Sequence, residues 1–173
     1  MYNVDFNIND DDHQLSPILL SFLPTISRLN CLTIIASYQN WNRLNSFLSS
    51  AFLHLMHLPT INHIDLSFIY DFPLSSLTLS VNLHRLDVSH LKFLRRLGEE
   101  SSPEILMEMM PKIREFHTIN SSLLMTKLLL ARTQDEQPAF NSMDLRRVSM
   151  SFNVFEDERT IRYLLQNAKL LGV

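Results

Sequence analysis

The residue types in this sequence that could do chemistry are one cysteine, seven histidines, nineteen serines and a few clustered carboxylates, and their spacing limits each of them. Cys31 has no partner for an intramolecular disulfide. It lies in an apolar run with Leu29, Leu32 and Ile34, the setting of a buried thiol rather than of a nucleophile. His54 and His57 stand one helical turn apart, with His63 shortly after, but no Asp, Glu or Cys at a suitable spacing completes a ligand set, so no metal is expected. The serines lack the flanking glycines of a nucleophile elbow. The acids at Asp10 to Asp12 and at Glu99 and Glu100 read as solvated charge. Lys92, Arg95 and Arg96 read as a helix exterior, because the accompanying Phe93 sits among Leu91, Leu94 and Leu97 and belongs with a core rather than a base-stacking platform. The expectation is a protein that is not an enzyme and carries no cofactor.

Composition narrows the classes further. Of 173 residues 31 are leucine and only Gly98 and Gly172 are glycine, so few local backbones are expected to take φ > 0 and phosphate-cradling glycine loops are excluded. Fifteen Lys and Arg against eighteen Asp and Glu leave a formal charge of −3, with no general attraction to nucleic acid or anionic lipid. The first residues carry neither a basic region nor a small-residue cleavage site, and no apolar stretch reaches about 18 residues, so neither a signal peptide nor a membrane span is expected. With its unpaired cysteine, the chain reads as soluble and cytoplasmic or nuclear.

The elements that would carry these residues follow from a recurring unit, apolar-x-x-apolar-x-apolar. It appears at Ile26 to Cys31, Ile61 to Leu66, Leu83 to Val88, Ile113 to Thr118 and Leu145 to Met150. Its last positions alternate with a strand period, and the segments between have a helical one. Helices are expected over 41–57, about 103–110, about 121–132 and about 157–169, with a turn and a short crossover in 67–81 and a surface loop at 133–141. The central apolar residues (29, 64, 86, 116 and 148) are 35, 22, 30 and 32 apart, irregular but within the range of leucine-rich repeats. The expected fold class is α/β: an irregular leucine-rich-repeat-like solenoid of short parallel strands alternating with helices, truncated at the C-terminus. Residues 1–13 are expected as a flexible acidic N-terminus and 14–173 as a single solenoid domain. The asparagine of regular leucine-rich units is missing, since Ile69 and Leu91 stand in its place, so turns held by side-chain packing are expected.

Aligning the strands places two columns of residues on one face of the sheet. One is Arg28, His63, Arg85, Glu115 and Arg147; the other is Asn30, Asp65, Asp87, His117 and Ser149. Their mixed charge suits a recognition surface for a protein or peptide, with arginine forks for carboxylates. Two alternatives stand beside it: a small-molecule pocket or enzyme where the 22-residue spacing opens the solenoid, and a fragment without independent function.

The strings Phe52 to Thr60 (FLHLMHLPT), Ile64 to Ser67 (IDLS), Asp71 to Leu74 (DFPL), Val81 to Leu86 (VNLHRL) and Asp144 to Met150 (DLRRVSM) resemble the leucine-rich-repeat-like portion of F-box proteins abundant in mushroom-forming fungi, over roughly residues 20–173. The resemblance implies repeats that recruit a protein substrate to a cullin-RING ubiquitin ligase. The F-box that would dock the ligase adaptor is not found. Ser102 to Leu106 mimics its opening but lies between repeats, so the adaptor is a partner only if a longer form carries an F-box.

Overall fold

The computed structural model describes residues 3–8, 23–91, 113–120 and 146–151. The helices expected near 103–110, 121–132 and 157–169, the loop at 133–141, the acidic runs and the Lys92 to Arg96 cluster lie outside these residues. Within them the architecture is α/β. Six strands, β1 (Asn3–Ile8), β2 (Cys31–Asn40), β3 (His63–Tyr70), β4 (Arg85–Ser89), β5 (Glu115–Ile119) and β6 (Arg147–Ser151), form one sheet in sequence order, and every neighbouring pair is parallel.

The register is continuous from edge to edge through the first half of each strand, and between β2 and β3 it shifts once, between Ile35 and Gln39. Val4, Leu32, Ile64, Leu86, Phe116 and Val148 are aligned, at spacings of 28, 32, 22, 30 and 32 residues. Two expectations are corrected by this alignment. The first complete unit is Leu29-x-x-Leu32-x-Ile34, three residues later than the pattern at Ile26 suggested, so Arg28 and Asn30 precede β2 instead of lying in its columns. Residues 3–8, expected in a flexible acidic tail, form β1 and pair with β2 along their whole length.

A parallel strand needs a crossover to bring the chain back to its starting edge. Between β2 and β3 the crossover is a 3-10 turn (Trp41–Arg43) followed by α1 (Ser46–Met56). The apolar stripe expected over 41–57 is thus split. Asn45 Oδ1 accepts from the N–H of Phe47 at 2.9 Å, and this N-cap starts a new helix where a continuous one was expected. Between β3 and β4 the return is shorter, a 3-10 helix over Leu74–Leu79 that buries Leu74 and Leu77. The 22-residue spacing does not part the strands there, because His63–Ser67 and Arg85–Ser89 pair residue by residue.

The core lies between the sheet and the crossovers. Leu32, Ile34, Ile64 and Leu66 from the strands meet Phe52, Leu55 and Met56 of α1, all fully buried. Each such side chain contributes roughly 1.5–3 kcal/mol by leaving water. Trp41 packs edge-on against Phe72 (4.8 Å between centroids), and Phe6 of β1 packs likewise against Phe52 (5.1 Å), which ties the first strand to the helix.

The turns are held by more than the packing expected of them. Ser80 Oγ donates to the Met56 carbonyl (2.9 Å), Asn82 Nδ2 to that of Pro59 (2.8 Å), and Thr60 Oγ1 accepts from the N–H of Leu29 (3.0 Å). At the strand entries one carbonyl serves two donors. That of Asn30 accepts from Asn62 and His63, that of Asn62 from His84 and Arg85, that of His84 from Arg114 and Glu115, and that of Arg114 from Arg146 and Arg147, all at 2.8–3.2 Å.

The scarcity of glycine does not keep the backbone out of the left-handed region. Tyr38, Phe68, Asp71, His90 and Asn120 have φ between 48° and 59°. Phe68, His90 and Asn120 each follow a register-aligned residue (Ser67, Ser89 and Ile119), so the same bend recurs where successive strands leave the sheet.

Candidate functional site

Alternation along the strands sends one set of side chains into the core and the other to the opposite face. On that face the first column reads Asn3, Cys31, His63, Arg85, Glu115 and Arg147, and the second Asp5, Thr33, Asp65, Asp87, His117 and Ser149. Eight of the ten residues expected in the columns are there. Arg28 is exposed and Asn30 half-buried ahead of β2, where Asn30 Oδ1 instead accepts from Asn62 Nδ2 at 2.7 Å. Cys31, Thr33, Asn3 and Asp5 are the members that the three-residue shift and the tail reading concealed.

Asp87 is the centre of the face. Arg85 reaches it with a fork, Nη2 to Oδ2 at 2.8 Å and Nε to both oxygens at 3.1 Å, and Nε2 of His63 lies 2.9 Å from Oδ2. Burial is the largest single influence on the Asp87 carboxyl and pushes its pKa up. Hydrogen bonds from His63 and Arg85, with their charges, together outweigh it and hold the pKa down to about 2. The same bonds raise the Arg85 guanidinium above its ordinary value. Arg85 also lies 4.0 Å from Glu115, and Nε2 of His117 lies 3.8 Å from Glu115, beyond hydrogen-bond reach.

The side of the face nearer β1 is different. Asp65 accepts a hydrogen bond from Ser67 Oγ (3.2 Å), and among the described residues no cationic group lies within ion-pairing distance of it. Burial pushes its carboxyl up, the Ser67 hydrogen bond pulls it down, the Asp87 charge adds to the rise, and the charges of His63 and Arg85 act against it, leaving a net rise. Asp5, on β1, is exposed. The face therefore has Asp87 directly paired with Arg85 around β4, while Asp5 and Asp65 toward β1 stand without a direct ion pair among the described residues.

A carboxylate can only accept, so Nε2 of His63 carries a proton toward Asp87, and in the uncharged imidazole Nδ1 holds the lone pair. That lone pair faces Cys31 Sγ at 3.1 Å. The other two histidines of the sequence cluster do not join them. His54 is exposed on α1, and His57 Nε2 contacts the Ser76 carbonyl at 2.9 Å. Among the described residues no three His, Cys, Asp or Glu side chains gather in a metal-holding group.

At the strand exits the face ends in an aromatic rim. Tyr38 is half exposed and meets the edge of Phe68 (5.1 Å). The Phe68 ring stacks on the imidazole of His90 at 4.4 Å and 10°, and Asn120 Nδ2 donates to His90 Nε2 at 2.9 Å. Ile35 and Ile119 are exposed beside it.

No helix among the described residues is long and apolar enough to cross a membrane. The chain matches no protein-family model, no curated protein and no solved structure.

Proposed function

We propose that the chain is a non-catalytic recognition module, a leucine-rich-repeat-like solenoid that binds a protein segment on the polar face of its sheet. Support for the solenoid comes from six parallel strands in sequence order joined by short returns, an arrangement in which each unit packs on its neighbours. Support for recognition comes chiefly from the unequal charge of the face, where Asp5 and Asp65 present carboxylates with no cationic partner among the described residues. A segment bearing Lys or Arg supplies that charge, and the aromatic rim offers Tyr38 and Phe68 to its apolar side chains. The likeness to mushroom F-box repeats suggests that the bound segment belongs to a ubiquitin-ligase substrate, with the ligase adaptor engaged only by a longer form.

Fluorescence anisotropy of the whole chain with matched lysine-rich and glutamate-rich peptides tests this. The basic peptide is expected to bind more tightly, to weaken severalfold between 50 and 200 mM salt (about those concentrations, by screening of surface charge), and to lose affinity in Asp65→Asn and Asp5→Asn. Equal affinity for the two peptides, or indifference to both substitutions, refutes the reading.

A further inference from the structure

Cys31 is the only thiol in the chain; it is buried, as its apolar neighbours imply, and its register places it in the column of His63, within reach of that imidazole. There it completes a line of three groups on three adjacent strands: Sγ of Cys31 is 3.1 Å from Nδ1 of His63, and Nε2 of His63 is 2.9 Å from Asp87. The Arg85 fork keeps Asp87 ionised and in place. A thiol beside the free lone pair of an imidazole, whose other nitrogen is held by a carboxylate, has the parts of an activated nucleophile: base in contact, tautomer fixed.

We propose that Cys31 is a nucleophilic thiol for which His63 is the base and Asp87 the positioning residue, and that it takes small disulfides to form a reversible mixed disulfide. This goes beyond the recognition reading and does not depend on it. In the step, the Cys31 thiol proton passes to His63 Nδ1 as the sulfur attacks one sulfur of the incoming disulfide. A new S–S bond forms, the old one breaks, and the departing thiolate takes the proton from His63. The old S–S bonding pair leaves with the departing thiolate and a lone pair of the Cys31 sulfur makes the new bond, so the departing sulfur is reduced by one electron and the Cys31 sulfur is oxidised by one.

Every group facing the sulfur has a part in this. Burial raises the Cys31 thiol pKa, a hydrogen bond with the Thr33 side chain lowers it, and the carboxylates of Asp5 on β1, Asp65 on β3 and Asp87 on β4 raise it again. A standing thiolate is therefore disfavoured, and the sulfur depends on transferring its proton as it attacks. Cys31 is only 8% exposed, which restricts the reaction to compact reagents.

The probe is 4,4′-dithiodipyridine, small and uncharged, added to the whole chain folded and in denaturing urea, with release of the pyridinethione followed at pH 7 and pH 9. An ordinary thiol with a pKa of about 8.5 gains about 25-fold in rate over that interval. The folded protein is expected to gain less than about threefold, to react at pH 7 at least tenfold faster than the unfolded chain, and to carry one adduct by intact mass; the rate advantage is lost in His63→Gln and reduced in Asp87→Asn. A folded rate at pH 7 no higher than the unfolded one, or the full free-thiol pH dependence in the folded state, overturns the proposal without recourse to any variant.

Discussion

Asp87 and Asp65 sit on neighbouring strands in the same column, yet their ionisation acts on stability in opposite directions. With a folded pKa of about 2, Asp87 contributes stability that is complete above the unfolded value near 3.8 and is lost as pH falls through about 2. The difference corresponds to about 2 kcal/mol. Urea midpoints should thus show Asp87→Asn weaker than the parent by about that amount at pH 6, with the gap closing by pH 2. Asp65 is raised, so its charge costs stability at neutral pH and the cost is relieved on acidification. Asp65→Asn is expected to raise the melting temperature at pH 7 while weakening basic-peptide binding; a lower melting temperature would show the carboxylate to be structurally required. The eight column residues from His63 onward were readable from the strand period alone, because each lies between apolar positions that fix its face. The burial of Cys31 was readable from Leu29, Leu32 and Ile34, but its place in the column of His63 was not, because only the register decides that.

At the scale of elements, the bends where the strands leave the sheet carry the clearest prediction. A left-handed non-glycine residue costs about 1 kcal/mol or more, and here the cost is offset by the Phe68–His90 stack and the Asn120–His90 bond. Replacing Phe68 by glycine should then leave a more stable protein than replacing it by alanine, by about 1 kcal/mol. That is the reverse of the usual order inside a strand. Denaturant titration of the pair decides, and alanine equal to or better than glycine would contradict the positive φ. The bend at Tyr38 left no trace in the sequence, that at Asp71 falls in the turn expected within 67–81, and those at His90 and Asn120 fall on residue types that tolerate φ > 0 but do not announce it as glycine does. β1 was hidden differently. Val4, Phe6 and Ile8 alternate as a strand should, but the nearby acids led to a tail reading, and only pairing with β2 reveals the alternation as structural. Both Ile26 and Leu29 begin a segment that fits the repeat pattern, so spacing could not choose between them.

For the whole molecule, parallel strands in sequence order make stability a matter of neighbours. Phe52 links β1 to α1 through its contact with Phe6 and is fully buried. Phe52→Ala is expected to cost about 3–5 kcal/mol, and amide exchange should show protection lost first in β1 and β2 and last in β4. Uniform loss across the sheet would mean that the units unfold as one. The aligned columns also impose a metric on anything that binds the polar face. Its columns repeat about every 4.8 Å from strand to strand, whereas alternate side chains of an extended peptide recur about every 6.6 Å. A peptide laid along the strands keeps step with the face; one laid across them slips by nearly 2 Å at each side chain and comes back into step only at about every fourth strand. A partner crossing the sheet must therefore be read at a few separated points by long side chains, and one running with the strands can be read residue by residue.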